Sequence, residues 1–539
     1  MLKKVLALFL AVVMCLSVFS ACGGTKKKTN TSNAQAEIEL GGNWDKPLFE
    51  EEVYFEVYMP VNDNYVLEGS FLDQLLKTNE NLDVFYNGVN SFQEQFSLKA
   101  VDKDIPEITW TNSDEQRKVY GPAGAFLDIN KYLDKMPNLK AAMEKYPAMK
   151  NAFVDKETGE RWAISCFREV NYDAYAFIYR KDVFDKLNME WPTTQDGFYN
   201  ALKTLKQNYP NSYPFVLRQM TDNMQGLIYW LPSWGTNRVM LGRYNLFAMK
   251  QDGTLEYPSV NQGMKECMTF LNKLYDEKLL HPNLLELTSN EWAQSFATET
   301  SFIGWDKMER IAIQLQPAGE AAGIEGFRLI GGAPIAFGSQ GVAGTLETTG
   351  VGAYSFLLAK SLESDEIRLN QVLAYIDWLY SEEGIITTNY GSIGTTCERD
   401  AEGNFKFTDA ILATDDPQYS RGLAIGGTYG IMLKSAYCSW QDEYELESLN
   451  IANEYATLKW EPDFYSIYTG EELRVWDTYA TALWTNTGNG LQSFIVGAGG
   501  YDIEKDWDSW VKKMTSNAYK FAQLKEIHEN AYARVNAGK

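Results

Sequence analysis

The sequence predicts an α/β protein of two lobes with a ligand cleft between them, on three observations. The chain is 539 residues long, too long for one modest core, so two lobes are the default. Its first half alternates strand-like and helix-like stretches, the pattern of an α/β layer with a largely parallel sheet. Residues 159–180, GERWAISCFREVNYDAYAFIYR, set two strand-like pieces on either side of a polar middle. Trp162 to Cys166, and the alternating Tyr175, Phe177 and Tyr179, have the residue types and period of strands. Arg168 and Glu169 between them are out of place in a buried ladder. They suit a segment that crosses from one lobe into the other, its polar middle on the cleft floor. Taken alone, the same segment reads equally as a surface loop with an Arg/Glu pair.

Composition narrows the function classes. Apolar residues at 45% and charged residues at 22% describe a globular chain. The net charge of −23 leaves nothing to neutralise phosphates, which excludes nucleic acid as a partner. The 15 Trp, 32 Tyr and 27 Phe are mostly core residues, but such a supply is also what a sugar-stacking cleft requires. The six cysteines, Cys15, Cys22, Cys166, Cys267, Cys397 and Cys438, show no CxxC spacing, so neither a zinc cluster nor a redox motif is expected. There is no DxDxDG loop, and no metal or other cofactor is expected. His281 and His528 are the only histidines. An HExxH site is thereby excluded, and a Ser-His-Asp triad has poorly placed candidates.

Residues 1–21 read as an export signal, with Lys3 and Lys4, an apolar run from Val5 to Phe19, and small Ser20 and Ala21. The run is short for a membrane span. Residues 22–44, opening CGGTKKKTNTSNAQ, are polar and lysine-bearing, which suits a tether over an anionic membrane surface. VYFEVYMP from Val53 alternates as a strand, and Asn62, Asp63 and Asn64 make a polar loop. A helix is expected over residues 71–77 and a strand over 82–86. A third strand spans 104–110 and ends in Trp110, Asn112 and Asp114. Ligands bind beyond the carboxyl ends of strands in such sheets, so these three are cleft candidates.

After the crossing, Thr194 caps a helix whose stripe is Phe198, Ala201, Leu202 and Leu205. Trp234, beside Pro232 and Gly235, is a ligand candidate because a loop tryptophan is poorly explained as helix core. Residues 250–253 read as a turn. Met264, Cys267, Met268, Leu271 and Leu274 mark a second amphipathic helix, making Cys267 a buried thiol. Residues 300–306 read as a short strand ending in Gly304, Trp305 and Asp306, which puts a ring face and an acceptor side by side. Residues 327–336 are expected to return the chain to the first lobe. A helix through Leu369, Val372, Leu373 and Ile376 is expected to stop at Glu383 and Gly384. The remainder mixes strands, aromatic loops at 437–440 and 460–468, glycine-rich turns at 422–430 and 488–500, and a helical end over 507–535.

Four passages, DIPEITWTNSDEQRKVYGPAGAFLDINKYL, ERWAISCFREVNYDAYAFIYRKDVFDKLNMEWPTTQDGFYNAL, DGTLEYPSVNQGMKECMTFLNKLYDEKLLHPNLL and AYIDWLYSEEGIITTNYG, in this order resemble the extracellular solute-binding proteins of family 1. These are sugar-binding receptors of bacterial ABC importers, and the likeness is to large Gram-positive lipoprotein members. Phe-Ser-Ala before Cys22 is similar to a lipobox, with Phe19 in place of the usual leucine. The resemblance implies a periplasmic-binding-protein-like fold, cleavage before Cys22 and its lipidation with palmitate. It further implies a monomer held on the outer face of the cell membrane and an ABC permease as partner. It places crossings near 168–175 and 323–327. The lobes implied are 45–168 with 326–395, and 169–325 with 396–539. In the maltose-binding relatives, cleft residues occupy positions matched here by the end of the 105–110 strand, by Glu169 and by Trp305.

On this reading Trp110, Trp234 and Trp305 stack on sugar faces, while Asn112, Asp114, Arg168, Glu169 and Asp306 bond the hydroxyl rim. The carbohydrate, an oligosaccharide, is captured by hinge closure and no bond is broken. Two rivals remain. A lipoprotein glycosidase would use Glu169 and Asp306 as acid and base. A peptide or amino-acid receptor would use Arg168 and Asp306 for the ligand's charged ends.

Overall fold

Ten strands build two sheets. In chain order they are β1 (Val53–Pro60), β2 (Leu82–Val89), β3 (Ile108–Thr111), β4 (Ile164–Arg168), β5 (Tyr175–Arg180), β6 (Phe215–Val216), β7 (Ile303–Lys307), β8 (Leu329–Gly332), β9 (Val351–Leu358) and β10 (Ile431–Met432). The first sheet has the order β10-β4-β9-β3-β1-β2 and the second β8-β5-β7-β6. In the first, β1 runs parallel to β2 and β3, β10 runs parallel to β4, and β9 alone is antiparallel to its neighbours β3 and β4. The sheet is therefore largely parallel, as expected. This computed structural model describes residues 46–61, 69–111, 116–155, 158–170, 174–218, 220, 224–227, 229–236, 246–250, 254–346, 350–412, 423, 430–439, 441–458 and 468–536. Cys22 with the leader and tether, the 62–64 loop, Asn112 and Asp114 lie outside the described residues, as does most of the stretches 251–253, 422–430 and 460–468.

The longer helices are α1 (Phe71–Asn79), α2 (Phe92–Val101), α3 (Pro137–Lys145), α4 (Gln195–Asn208), α5 (Gln262–Asp276), α6 (Ser289–Ala297), α7 (Glu366–Trp378), α8 (Glu382–Tyr390), α9 (Glu443–Glu454), α10 (Gly470–Val496), α11 (Ile503–Met514) and α12 (Phe521–Asn536). Local chemistry explains several of them. Thr194 caps α4 by accepting from the Gly197 N–H, and the four residues of its predicted stripe are its buried ones. On α5 the buried face includes Met264, Cys267, Met268, Leu271 and Leu274, and burial pushes the Cys267 thiol well up. Two cores result. One gathers Phe55, Val57, Leu72 and Ile376 around the first sheet, and the other gathers Phe177, Phe198, Trp230 and Trp476 around the second.

Consecutive strands β4 and β5 belong to different sheets, so the segment after Arg168 does cross between them. The return differs from expectation. Leu329–Gly332 pairs antiparallel with β5, so the chain leaves the second sheet after Gly332 rather than near 323–327. A third passage follows β10, because α9 lies on β8 with the Gly331 N–H donating to Ser448 Oγ at 2.7 Å. Strands β8 and β10 thus fall on the other side of the expected lobe boundaries. Helix α7 ends at Trp378, not at Gly384. Ser381 caps a new helix there by accepting from the Gly384 N–H. Gly488 and Gly490, expected in turns, lie inside α10. A Cβ on Gly490 would overlap the indole nitrogen of Trp510, so close packing rather than a turn requires that glycine. Tyr437 and Cys438, expected in an aromatic loop over 437–440, end a short helix over 434–438.

The segment before β1 is held at the end of α1. The Leu48 N–H donates to Glu80 Oε2 at 3.1 Å and Asn81 Nδ2 donates to the Phe49 carbonyl at 2.7 Å. Burial, reinforced by the nearby Glu383 carboxylate, pushes Glu80 up to about 8, and burial raises Glu383 as well. The folded state thus keeps a proton that the unfolded chain gives up near 4.5. Stability falls as pH rises from about 4.5 towards 8 and levels off above. Thermal melts across that window should show this fall, and Glu80→Gln should remove it by raising the midpoint at pH 8 and not at pH 4.5. Gly490→Ala should cost about 1–3 kcal/mol in denaturant unfolding, through overpacking against Trp510.

Candidate functional site

The three passages between the sheets leave and enter by one edge of each. In the first sheet this edge carries the carboxyl ends of β1 to β4 and β10 and the amino end of β9. In the second it carries the amino end of β5 and the carboxyl ends of β6, β7 and β8. In α/β sheets ligands conventionally bind beyond the carboxyl ends of the strands, which makes these two edges the candidate site.

On the first edge, Trp110 of β3 is fully buried. Tyr354 of β9, which is half-buried, stacks on it with ring centroids 3.8 Å apart and planes within 10°. Phe356 is the register partner of Trp110, so Tyr354 sits two residues nearer the crossings. Arg168 ends β4, half-buried, its N–H donating to the Gly350 carbonyl at 2.7 Å. Glu169 is engaged on both carboxylate oxygens. Oε1 accepts from the Tyr146 hydroxyl, with the Lys145 ammonium 3.5 Å away, and Oε2 accepts from the Lys434 N–H at 3.3 Å. Sequence reasoning missed Arg117, whose Nη1 donates to Ser355 Oγ at 2.9 Å and whose guanidinium lies 4.2 Å from the Phe153 ring. Its position just after the 111–114 polar run was the available signal.

On the second edge, Trp305 of β7 is 1% exposed, set edge-on to Phe177 at 4.9 Å and stacked near Trp230. Trp234 is 0% exposed and stacks on Phe337 at 4.8 Å. Asp306 does not offer a free acceptor. It is buried in a two-pronged pair with Arg218, whose Nη2 donates to Oδ1 at 2.8 Å and whose Nε meets Oδ2. The Arg218 guanidinium also lies 5.5 Å from the Trp292 ring. Tyr175, at the rim end of β5, stacks with Tyr229 at 4.0 Å with planes 9° apart, and both are half-buried.

Each edge therefore has a buried tryptophan inside and a half-buried tyrosine at the rim. The three tryptophans expected to stack on a ligand are enclosed by other rings, and the accessible aromatic surface belongs to Tyr354, Tyr175 and Tyr229. Both carboxylates expected to act as acid and base are held by protein cations or donors. The two histidines add no base to these edges. His528 is buried, its Nδ1 2.8 Å from the Tyr468 hydroxyl and its ring against Trp476, while His281 Nδ1 accepts from the Asn283 N–H. Among the described residues no group of three or more His, Cys, Asp or Glu side chains could hold a metal ion. No helix among them is long and apolar enough to cross a membrane.

Residues 62–386 match the family model of the bacterial extracellular solute-binding proteins. Lipoprotein LipO of Bacillus subtilis (strain 168) is 26% identical over 326 residues, covering 60% of this chain and 62% of LipO. The chain thus aligns with less than two thirds of LipO's own length. The polygalacturonan/rhamnogalacturonan-binding protein YtcQ of the same strain is 21% identical over 447 residues, 80% of this chain and 83% of YtcQ. Among solved structures, the alginate-binding protein AlgQ2 without calcium ion superposes with a TM-score of 0.69 at 20% identity, covering 91% of this chain and 99% of that one. The S. pneumoniae substrate-binding protein FusA in complex with kestose gives 0.68 at 16% identity, covering 90% and 100%. At these identities the structural likeness speaks for the two-lobed fold.

The Arg218–Asp306 pair gives a direct check on this geometry. Removing one partner strands a buried charge, so Arg218→Ala or Asp306→Ala should each destabilise by about 3–5 kcal/mol. The double variant should lose clearly less than the sum. A double-mutant cycle by urea unfolding measures it.

Proposed function

The chain belongs to the bacterial extracellular solute-binding proteins, and from that premise we propose that it captures an extracellular oligosaccharide between its lobes and hands it to the transmembrane subunits of an ABC importer. The observation that carries the reading is a stacked tyrosine at each of the two sheet edges between which the chain crosses, Tyr354 on Trp110 and Tyr175 on Tyr229. A sugar ring offers C–H faces to such surfaces and hydroxyls to the groups around them. Arg117 and Arg168 stand at the first edge for those hydroxyls, with Asn112 and Asp114 close by in sequence at the end of β3. Trp110 acts from behind, its ring backing Tyr354.

Relatives support the class of ligand. YtcQ is described as binding polygalacturonan and rhamnogalacturonan, AlgQ2 as binding alginate, and FusA is in complex with kestose. The proposal assigns no catalytic step: Glu169 and Asp306 are both occupied within the protein. The occupation of Asp306 by Arg218 also removes the anion that a free amine would need, which weighs against an amino-acid or peptide ligand. We assign Cys22 as the lipidated residue that holds the mature monomer to the outer face of the membrane, in keeping with the lipoprotein relative.

A thermal-shift panel of oligogalacturonides, alginate oligosaccharides and fructo-oligosaccharides, with amino acids and peptides alongside, tests the reading. A ligand specific to the folded state stabilises by about 2.7 kcal/mol at a hundred times its Kd. One glycan series should raise the midpoint, and Tyr354→Ala should weaken that binding about tenfold or more, the loss of one stacked ring. Shifts confined to peptides or amino acids would overturn it. In cells, Cys22→Ser should abolish incorporation of labelled fatty acid and release the protein into the medium. Unchanged incorporation would refute the anchor.

A further inference from the structure

We infer that Glu169 is a hinge-positioning residue: its carboxylate clamps the first and third crossings to each other and to the first lobe, so that the two bend as one unit. The inference rests on the reading that the lobes close on a solute, but its test needs none.

The clamp is built from both sides of the residue. The Glu169 N–H donates to the Met432 carbonyl at 2.9 Å, joining the start of the first crossing to the last residue of β10. Its Oε2 then takes the Lys434 N–H, two residues further along the third crossing, at 3.3 Å. Its Oε1 takes the Tyr146 hydroxyl, beside Lys145 at the end of α3. Tyr146 is itself fixed, its ring stacked on Phe167 at 4.2 Å and covered by the Lys145 ammonium at 4.8 Å. Asn389 of α8 secures the same stretch of chain, its Nδ2 donating to the Ile431 carbonyl at 2.8 Å and its Oδ1 accepting from the Leu433 N–H at 2.9 Å.

Immediately beyond the clamp, an apolar knot joins the two crossings to the second lobe. Val170 of the first crossing packs with Met432, Tyr437 of the third, and Leu449 of α9. The second crossing is fastened at its opposite end. Gly338 donates its N–H to Gln195 Oε1 at 2.9 Å, and Ser339 donates its N–H and hydroxyl to Glu266 at 2.7 and 2.8 Å, both partners lying on helices of the second lobe. The first and third crossings are thus held together by the Glu169 carboxylate, with Asn389 securing the third to the first lobe, and the second crossing is anchored to the second lobe. A ligand that claimed the Glu169 carboxylate would have to strip the half-buried Tyr146 hydroxyl of its acceptor, an unfavourable exchange.

Hydrogen exchange on the ligand-free protein tests this. In Glu169→Ala, amides over 432–438 should exchange about tenfold faster, the factor for losing a hydrogen bond to a charged group, while α10 keeps its rates. Tyr146→Phe keeps the ring packing and loses only the hydroxyl, so it should accelerate the same amides to a smaller degree. Glu169→Gln, which retains an acceptor and a donor in place, should restore near-native rates. Wild-type exchange over 432–438 in the alanine variant, or acceleration spread evenly through the chain, would overturn the proposal. Should the alanine variant fail to fold, Tyr146→Phe decides alone, and unchanged rates there would be the contrary result. A failure of the sugar panel with this exchange pattern intact would refute only the ligand reading.

Discussion

Two sheets, each with its own apolar core, are joined where the chain crosses from one edge of the first to one edge of the second, and the rest of the molecule depends on that constraint. Because Phe55, Leu72 and Ile376 pack around the first sheet and Phe177, Phe198 and Trp230 around the second, neither lobe needs the other to bury its hydrophobic surface. The free energy that sets their relative position is left to the crossings and the rims at those edges, which is the usual condition for domain motion. The same constraint fixes where a ligand can bind. All crossings leave by the edge that carries the carboxyl ends of the parallel strands, so the polar ends, the rim tyrosines and the hinge occupy one place.

The chemistry at that edge follows from what the low-dielectric interior tolerates. Large rings set one pleat inside the rim become core, as Trp110 and Trp305 do, while the tyrosines at the rim stay half-buried with one face against a neighbouring ring. Charges there are engaged inside the protein: Arg218 with Asp306, Arg117 with Ser355, Glu169 with Tyr146 and Lys434. Such pairing pre-sets side-chain positions before a ligand arrives, so less ordering has to be done on binding.

Much of the fold was legible in the sequence because its signals are local. Period two announced β1, β2 and β5, and the Phe198, Ala201, Leu202, Leu205 stripe behind Thr194 announced α4 with its cap. The crossing at Glu169 was legible because a charged pair interrupts two apolar strands. What stayed hidden depends on distant contacts. Leu329–Gly332 reads as a strand in either lobe, and only its pairing with β5 settles which. The 27-residue helix α10 was masked by Gly488 and Gly490, and the reason for Gly490 is the Trp510 ring that packs on it. The sequence could not show that Trp110 is enclosed, because the ring that covers it, Tyr354, comes from β9, which lies some 240 residues along the chain and pairs beside β3.

The central claim is that the lobes close on an intact glycan at these edges, and small-angle X-ray scattering of the soluble chain with and without the glycan panel tests it most directly. The account predicts a fall in radius of gyration with one glycan series, saturating with dose, and recovery of the glycan at its original chain length. Binding with an unchanged radius of gyration, or recovery of shortened glycan, would contradict it.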